Sequence, residues 1–219
     1  DGNHGLSVAW GARRFGCDCV VFLHEKVSPA RADLIEAMGA RIVRVAGNYD
    51  DSTAAAAREA AENGWILIAD TTTDVHDAAT HDIMAGYGVM IMELQKQLSP
   101  ESWPTHVLVQ GGCGGLAAAV FGPLWALSQG IRPRFVVVEP ATADCLYRSG
   151  VAGQPEVSPG SLETVMAGLS VGEVSVSAWP TLKACVDGYL TIPDRAAMET
   201  MRAAADGSWG CAQVRVGAS

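Results

Sequence analysis

The segment Gln110-Gly-Gly-Cys-Gly-Gly115 is the part of the sequence best suited to holding a ligand. It follows the apolar run Thr105–Val109 and precedes Leu116–Ala126, where apolar residues recur with helical spacing. This pattern predicts a strand, a glycine-rich turn and a helix. Glycines allow positive φ and a close approach to the backbone, and the first turn of a helix offers N–H groups to a phosphate. We therefore predict a phosphate site formed by Gly111, Gly112, Cys113, Gly114 and Gly115.

Three further polar residues stand where a functional side chain could lie. Asp1 and Asn3 precede the predicted helix Leu6–Phe15, and both residue types are favoured N-caps. Asp70 follows the predicted strand Trp65–Ala69. Because α/β proteins bind ligands at the carboxyl ends of their strands, Asp70 could bind a substrate amine, although a turn residue is an equally good interpretation.

The glycine segment admits three interpretations. Gly112-x-Gly114-x-x-Ala117 fits the short dinucleotide fingerprint, with Glu139 at the end of the next strand as the ribose-binding acid. The single phosphate of pyridoxal phosphate needs only one such loop, together with a polar partner for the ring hydroxyl and a lysine for the Schiff base. The third interpretation is a degenerate, non-catalytic fragment that keeps the fold. The spacing alone leaves all three open.

Strand and helix signals alternate along the chain, which predicts an α/β fold with mostly parallel, twisted sheets and helices on both faces. Strands are also expected at Cys19–Leu23, Arg41–Val45 and Arg134–Glu139. Helices are expected at Ser28–Met38, Ser52–Asn63, Ile83–Leu94, Thr181–Val186 and Asp194–Ala205. The linker-like segment Ser99–Pro104 divides the chain into a smaller α/β domain, 1–98, and part of a larger cofactor-binding α/β domain, 99–219.

Composition excludes several classes of partner. The net charge of −9 and the lack of a Lys/Arg cluster argue against nucleic acid and against an anionic membrane surface. No apolar run is long enough to span a bilayer. The six cysteines show no CxxC pair and are typical of reduced thiols in a cytoplasmic protein. His76 and His81 are five residues apart, which does not bring them together on a helix, so no metal site is predicted.

An ordered set of motifs resembles fold-type II pyridoxal-phosphate enzymes, the group of threonine dehydratase and tryptophan synthase β. Asp1-Gly-Asn-His-Gly5 looks like their asparagine loop, and Gly111–Gly115 is similar to their phosphate loop. Additional segments narrow the resemblance to the diaminopropionate ammonia-lyase family: Asn48-Tyr-Asp-Asp51, Val138-Glu-Pro140, Ala143-Asp-Cys145, Tyr147–Gly150, Thr164–Leu169 and Gly172-Glu173. The resemblance extends from Asp1 to about Ala205.

The resemblance implies a lyase that converts 2,3-diaminopropionate to pyruvate and ammonia, with pyridoxal 5'-phosphate as cofactor. It implies that Asn3 binds the ring hydroxyl, that Gly111 to Gly115 hold the phosphate, and that Asp1 is the base opposite the lysine. It also implies a cytoplasmic enzyme of amino-acid catabolism that forms a homodimer when full-length. A threonine or serine dehydratase is the alternative within the same group.

The sequence departs from this family in two important respects. The family's Schiff-base lysine lies upstream of the asparagine loop, and Lys26, Lys96 and Lys183 do not lie in its motif. The family's C-terminal partner for the pyridine nitrogen is not matched by Gly207–Ser219 either. We therefore expect the chain to be truncated at both ends, its fold to be incomplete, and this polypeptide alone to be inactive and poorly soluble.

Overall fold

The computed structural model describes residues 3–128 and 132–207. Two compact units make up the chain: the first ends at Asp70 and the second begins at Thr71. Asp1 and Cys211 lie outside the described residues. No helix within residues 3–128 or 132–207 is both long enough and apolar enough to cross a bilayer.

The first unit is a two-stranded parallel sheet with three helices. Its elements are α1 (Asn3–Phe15), β1 (Val20–His24), α2 (Pro29–Glu36), β2 (Arg41–Val45) and α3 (Tyr49–Asn63). The strands pair in parallel, with Val20 opposite Arg41 and His24 opposite Val45. Helix–strand alternation of this kind produces parallel pairing because each helix carries the chain back to the start of the next strand. A small apolar core forms around Ile35, Val21, Leu23 and Ala9.

The second unit is a three-stranded parallel sheet in the order β3-β4-β5. Its elements are α4 (Ala78–Gln97), β3 (His106–Gln110), α5 (Gly115–Leu127), β4 (Arg134–Pro140), α6 (Cys145–Ala152), α7 (Trp179–Cys185), β5 (Gly188–Ile192) and α8 (Asp194–Ala205), with short 3-10 helices at Pro100–Ser102 and Ala167–Leu169. Phe121 of α5 stacks on Phe135 of β4 with ring centroids 4.7 Å apart, and both side chains are fully buried. These contacts anchor α5 on the sheet and so fix the position of its first turn.

One predicted strand is wrong. Residues 65–69 form no strand in the structure. Among the described residues, β1 pairs only with β2, and the Trp65–Ala69 segment joins neither sheet. The apolar character of the segment predicted burial between neighbours, whereas Ile66 is 86% exposed.

The division into units also differs from the predicted border after residue 98. The helix α4 lies N-terminal to that border, yet it packs against α5 and contributes Ile91 to the core of the second unit. The side chain of Ile91 is 1% exposed. An apolar helix face that is covered by α5 belongs to the same compact unit as α5, which places the division at Asp70.

Candidate functional site: a glycine-rich phosphate segment

The predicted glycine turn lies between the end of β3 at Gln110 and the start of α5 at Gly115. Gly112 has φ +67° and Gly114, the N-cap of α5, has φ +99°. A Cβ on Gly114 would lie 2.7 Å from Cδ1 of Leu182, closer than side chains approach one another. Both the backbone conformation and the lack of space therefore require glycine at position 114.

Hydrogen bonds hold this turn in place from two sides. The Gly111 N–H donates to the Val138 carbonyl at 2.9 Å and so continues the β3–β4 pairing. The Cys113 carbonyl accepts from the Ser175 N–H, also at 2.9 Å. The Gly111 N–H is therefore engaged in the sheet. The phosphate site predicted at Gly111 to Gly115 stays a prediction. The N-terminus of the 13-residue helix α5, at Gly115, offers N–H groups and a dipole suited to an anion.

Two later segments reach the glycine turn. A Cβ on Gly112 would lie 3.6 Å from the Gly168 carbonyl oxygen and 3.7 Å from Leu169 Cδ2. The structure therefore places the Thr164–Leu169 motif beside the glycine turn. Ser175 is fully buried, and its hydroxyl bonds the Thr72 N–H at 3.3 Å and the Ser177 hydroxyl at 3.0 Å. No sequence signal singled out Ser175, because its contacts depend on residues far away along the chain.

Glu139 does not present its carboxylate to a ribose site. Its side chain is 1% exposed and turns to the first turn of α6, where it accepts from the Leu146 N–H at 3.0 Å and the Tyr147 N–H at 2.7 Å. Burial raises the pKa of Glu139 to about 7, although the two N–H donors oppose this shift. The dinucleotide interpretation requires this carboxylate to contact the ligand, whereas in the structure it binds backbone N–H groups inside the protein.

Asp70 is a candidate residue of the first unit. Its carboxylate accepts a hydrogen bond from the hydroxyl of Tyr49, which is the first residue of α3. The turn before α3 is fixed by a capping box, in which the Asn48 side chain accepts from the Asp51 N–H at 3.0 Å and the Asp51 carboxylate accepts from the Asn48 N–H at 2.8 Å. The Asn48–Asp51 motif therefore positions Tyr49 for its hydrogen bond to Asp70. The sequence did not predict this role for the motif.

Asn3 is the first residue of α1 and is exposed. The neighbouring His4 ring bonds the Ile68 carbonyl through Nε2 at 2.8 Å, which ties the start of α1 to the segment that leads to Asp70. Asp1, the predicted base, lies outside the described residues. The predicted roles of Asp1, Asn3 and Asp70 stay predictions.

Within residues 3–128 and 132–207, no three His, Cys, Asp or Glu side chains are grouped as a metal site requires. His81 bonds the Val75 carbonyl through Nε2 at 2.7 Å.

The lysine on α7, Lys183, donates from Nζ to the Gly153 carbonyl at 2.8 Å. Lys26 and Lys96 are exposed.

Comparisons with known proteins agree with the prediction of a pyridoxal-phosphate enzyme. Residues 1–210 match the family model described as pyridoxal-phosphate dependent enzyme. Diaminopropionate ammonia-lyase of Salmonella typhimurium is 36% identical over 209 residues, which cover 94% of this chain and 52% of the relative. The crystal structure of diaminopropionate ammonia lyase from Escherichia coli, in complex with an aminoacrylate-PLP azomethine reaction intermediate, matches with a TM-score of 0.85 at 33% identity. That match covers 93% of this chain and 52% of the other.

A more distant solved structure, a threonine deaminase from T.th., is 28% identical with a TM-score of 0.79, and the match covers 93% of this chain and 63% of the other. The chain thus spans about half the length of the curated relatives it matches. The predicted fold class, α/β with parallel sheets as in fold-type II enzymes, is confirmed. The chain belongs to the family of pyridoxal-phosphate dependent enzymes.

Proposed function

We propose that this chain carries the cofactor-binding and substrate-binding residues of a pyridoxal-phosphate dependent ammonia-lyase. The reaction is the α,β-elimination of ammonia from 2,3-diaminopropionate, which yields pyruvate and ammonia. The glycine turn at the N-terminus of α5 carries this proposal, in a chain 36% identical to a diaminopropionate ammonia-lyase. The dehydratase alternative has weaker support, since the threonine dehydratases and deaminase compared are 25–28% identical.

The residues present fit the phosphate of the cofactor. Gly112 to Gly115 lead into the N-terminus of α5 without a side chain larger than that of Cys113, and the α5 dipole favours a negative charge there. Pyridoxal phosphate, when bound, supplies an electron sink for the charge that develops at the substrate Cα. The protein's task is then to orient the cofactor and to transfer protons.

The acidic residues suit a substrate with two amino groups. A carboxylate such as Asp70 attracts an ammonium group, and the Tyr49 hydroxyl fixes the orientation of that carboxylate. Asn3 would bind the ring hydroxyl and Asp1 would remove the Cα proton, as the family resemblance implies. A dehydratase substrate carries a hydroxyl in place of the second amine, so it gains less from an added carboxylate.

Binding of stable cofactor–substrate conjugates tests this proposal without requiring turnover. The two ligands are the reduced secondary amines phosphopyridoxyl-2,3-diaminopropionate and phosphopyridoxyl-threonine, measured by titration calorimetry. We expect tighter binding of the diaminopropionate conjugate, and we expect Asp70→Asn to remove most of that preference. Tyr49→Phe should reduce the preference less, and Tyr147→Phe, at an exposed residue, should not change it. Equal affinity for both conjugates would contradict the assignment of substrate.

A separate experiment tests the lysines. None of Lys26, Lys96 and Lys183 lies in the family's Schiff-base motif, so we expect reversible cofactor binding that inorganic phosphate competes. Borohydride reduction followed by mass spectrometry should then yield no stoichiometric pyridoxyl-lysine. A single, fully modified lysine would show that one of the three forms the Schiff base.

We also propose a reducing, cytoplasmic location, because no disulfide joins any of the five cysteines within the described part of the chain. The homodimer implied by the family resemblance stays a prediction.

A further inference from the structure

The buried carboxylate of Glu139 has no part in the proposed reaction, yet its side chain lies against the start of the glycine turn. Its two oxygens accept the backbone N–H groups of Leu146 and Tyr147, at 3.0 Å and 2.7 Å. Such N–H groups at a helix start have no partner within the helix. Glu139, which is only 1% exposed, therefore fixes the first turn of α6 from inside the protein.

The same side chain packs against the start of the glycine turn. A Cβ on Gly111 would lie 2.5 Å from Glu139 Cγ and 3.1 Å from its Cδ. Position 111 therefore has no room for a side chain while Glu139 is in place. Gly111 has no positive φ, so the contact with Glu139, and not the backbone conformation, requires glycine there.

The helix turn that Glu139 holds reaches the glycine turn at two more points. The thiol of Cys145, the first residue of α6, donates to the Gly112 carbonyl at a sulfur–oxygen distance of 3.5 Å. A Cβ on Gly114 would lie 3.4 Å from Leu146 Cδ2. Glu139 thus touches Gly111 directly and reaches Gly112 and Gly114 through residues 145 and 146.

We infer that Glu139 is a positioning residue for phosphate binding: it holds the glycine turn in its binding conformation through Gly111 and through the first turn of α6. This inference rests on the proposed function, because it concerns affinity for the phosphate of the same cofactor. It assigns Glu139 no contact with the cofactor itself. Its chemistry is that of an acceptor for two N–H donors, a role that a carboxamide fills only in part, since the amide nitrogen cannot accept.

The test compares pyridoxal phosphate with pyridoxal, which lacks the phosphate, by titration calorimetry on the folded chain. The ratio of the two affinities reports phosphate binding alone. We expect Glu139→Gln to reduce this ratio roughly tenfold, the size expected for the loss of one hydrogen bond to a charged group. Glu93→Gln, an exposed residue of α4, is the matched control and should leave the ratio unchanged.

Two results would overturn the inference in distinguishable ways. If Glu139→Gln lowers the melting temperature but keeps the unsubstituted chain's affinity ratio, Glu139 is merely structural and only the inference fails. If the unsubstituted chain shows no preference for pyridoxal phosphate over pyridoxal, the phosphate site fails, and the proposed function fails with it.

A double-mutant cycle keeps the test decisive if the carboxamide variant folds poorly. Gly111→Ala should reduce the affinity ratio in the unsubstituted background, because its Cβ meets Glu139 Cγ. The same change in a Glu139→Ala background, which lacks Cγ, should cost less. Coupling between residues in contact appears as such non-additivity. Fully additive effects would show that Glu139 does not act through Gly111.

Discussion

At the scale of single residues, the glycines of the proposed phosphate segment are constrained for different reasons. Gly111 has no room for a Cβ beside Glu139, whereas Gly112 adopts positive φ with ordinary space around it. Gly114 is constrained in both ways. The sequence predicted the loop from its composition. It could not show which glycines lack room for a side chain, because that depends on Glu139 and Leu182, which lie in distant parts of the chain.

Gly114→Ala should therefore destabilise the second unit and weaken phosphate binding. The alanine must adopt φ +99° and meets Leu182 Cδ1 at 2.7 Å, so we expect a loss of about 1–3 kcal/mol in the free energy of unfolding. Urea unfolding measures it. The control is Gly88→Ala inside α4, where an added Cβ meets nothing within 4 Å. That change should stabilise by roughly 0.5–1 kcal/mol. Equal effects of the two substitutions would contradict the steric argument.

Glu139 should also make stability depend on pH in an unusual direction. Burial raises its pKa in the folded protein from 4.5 to about 7. The folded state then binds this proton more tightly than the unfolded chain does, so the free energy of unfolding falls as pH rises from 4.5 to 7. The loss amounts to as much as roughly 3 kcal/mol. Chemical unfolding at about pH 5.5, 6.5 and 7.5 measures it.

The comparison with Glu139→Gln isolates this contribution, because every other titratable group is present in both proteins. The other titratable groups that face Glu139 are Asp144, Cys145 and Tyr189. Burial raises the pKa of Tyr189 to about 12 and that of the Cys145 thiol above its usual range. Although burial opposes it, hydrogen bonds from Arg148 and Ser158 lower the pKa of Asp144. None of these groups titrates across the measured pH range, so an unchanged slope in the glutamine variant would contradict the assignment.

At the scale of elements, local signals predicted helix and strand positions well where the chain carries its own start and stop residues. β2 was predicted at Arg41–Val45 and lies there, and α8 begins at the predicted Asp194. Ser28 and Pro29 mark the start of α2, and Gly64, with φ +67°, ends α3. α3 begins three residues before the predicted Ser52, because the Asn48–Asp51 capping box was not recognised as a helix start.

Elements that depend on partners were harder to predict. The strand β5 was missed because Gly188–Ile192 lacks a continuous apolar run and is defined by its pairing with β4. The helix α6 was not predicted, and the Glu139 carboxylate caps its first turn from seven residues away. The predicted strand Trp65–Ala69 fails for the opposite reason: its composition suits a buried strand, but no described strand pairs with it.

The exposed Trp65–Ala69 segment leads to a prediction about solution behaviour. Ile66 is 86% exposed, so Ile66→Thr should change the free energy of unfolding by no more than about 0.5 kcal/mol. The same change should reduce self-association, because exposed apolar side chains favour contacts between molecules. Light scattering against concentration measures the second effect. Leu34→Thr, at a 56% exposed position of α2, is the control and should reduce association less, because less of the Leu34 side chain is exposed.

At the scale of the whole molecule, residues 3–128 and 132–207 form two apolar cores. The first surrounds Ile35 and the second surrounds Phe121, Phe135 and Leu182. The sequence predicted two α/β parts but placed the border at a Pro- and Ser-containing linker, whereas the cores divide at Asp70. Linker composition could not reveal that α4 contributes to the core of the second unit, because that fact depends on its packing against α5.

Because the cores are separate, loss of packing in one should loosen its own unit first. Ile35 is completely buried, so Ile35→Ala should cost about 2–5 kcal/mol, whereas Leu34→Ala on the same helix should cost much less. Hydrogen-exchange mass spectrometry locates the effect. We expect protection to fall in β1, β2 and α2 and to persist in β3, β4 and β5, since local opening follows cooperative units of structure. An equal fall in both sheets would show that the two units unfold as one, and the division at Asp70 would then describe packing without describing stability.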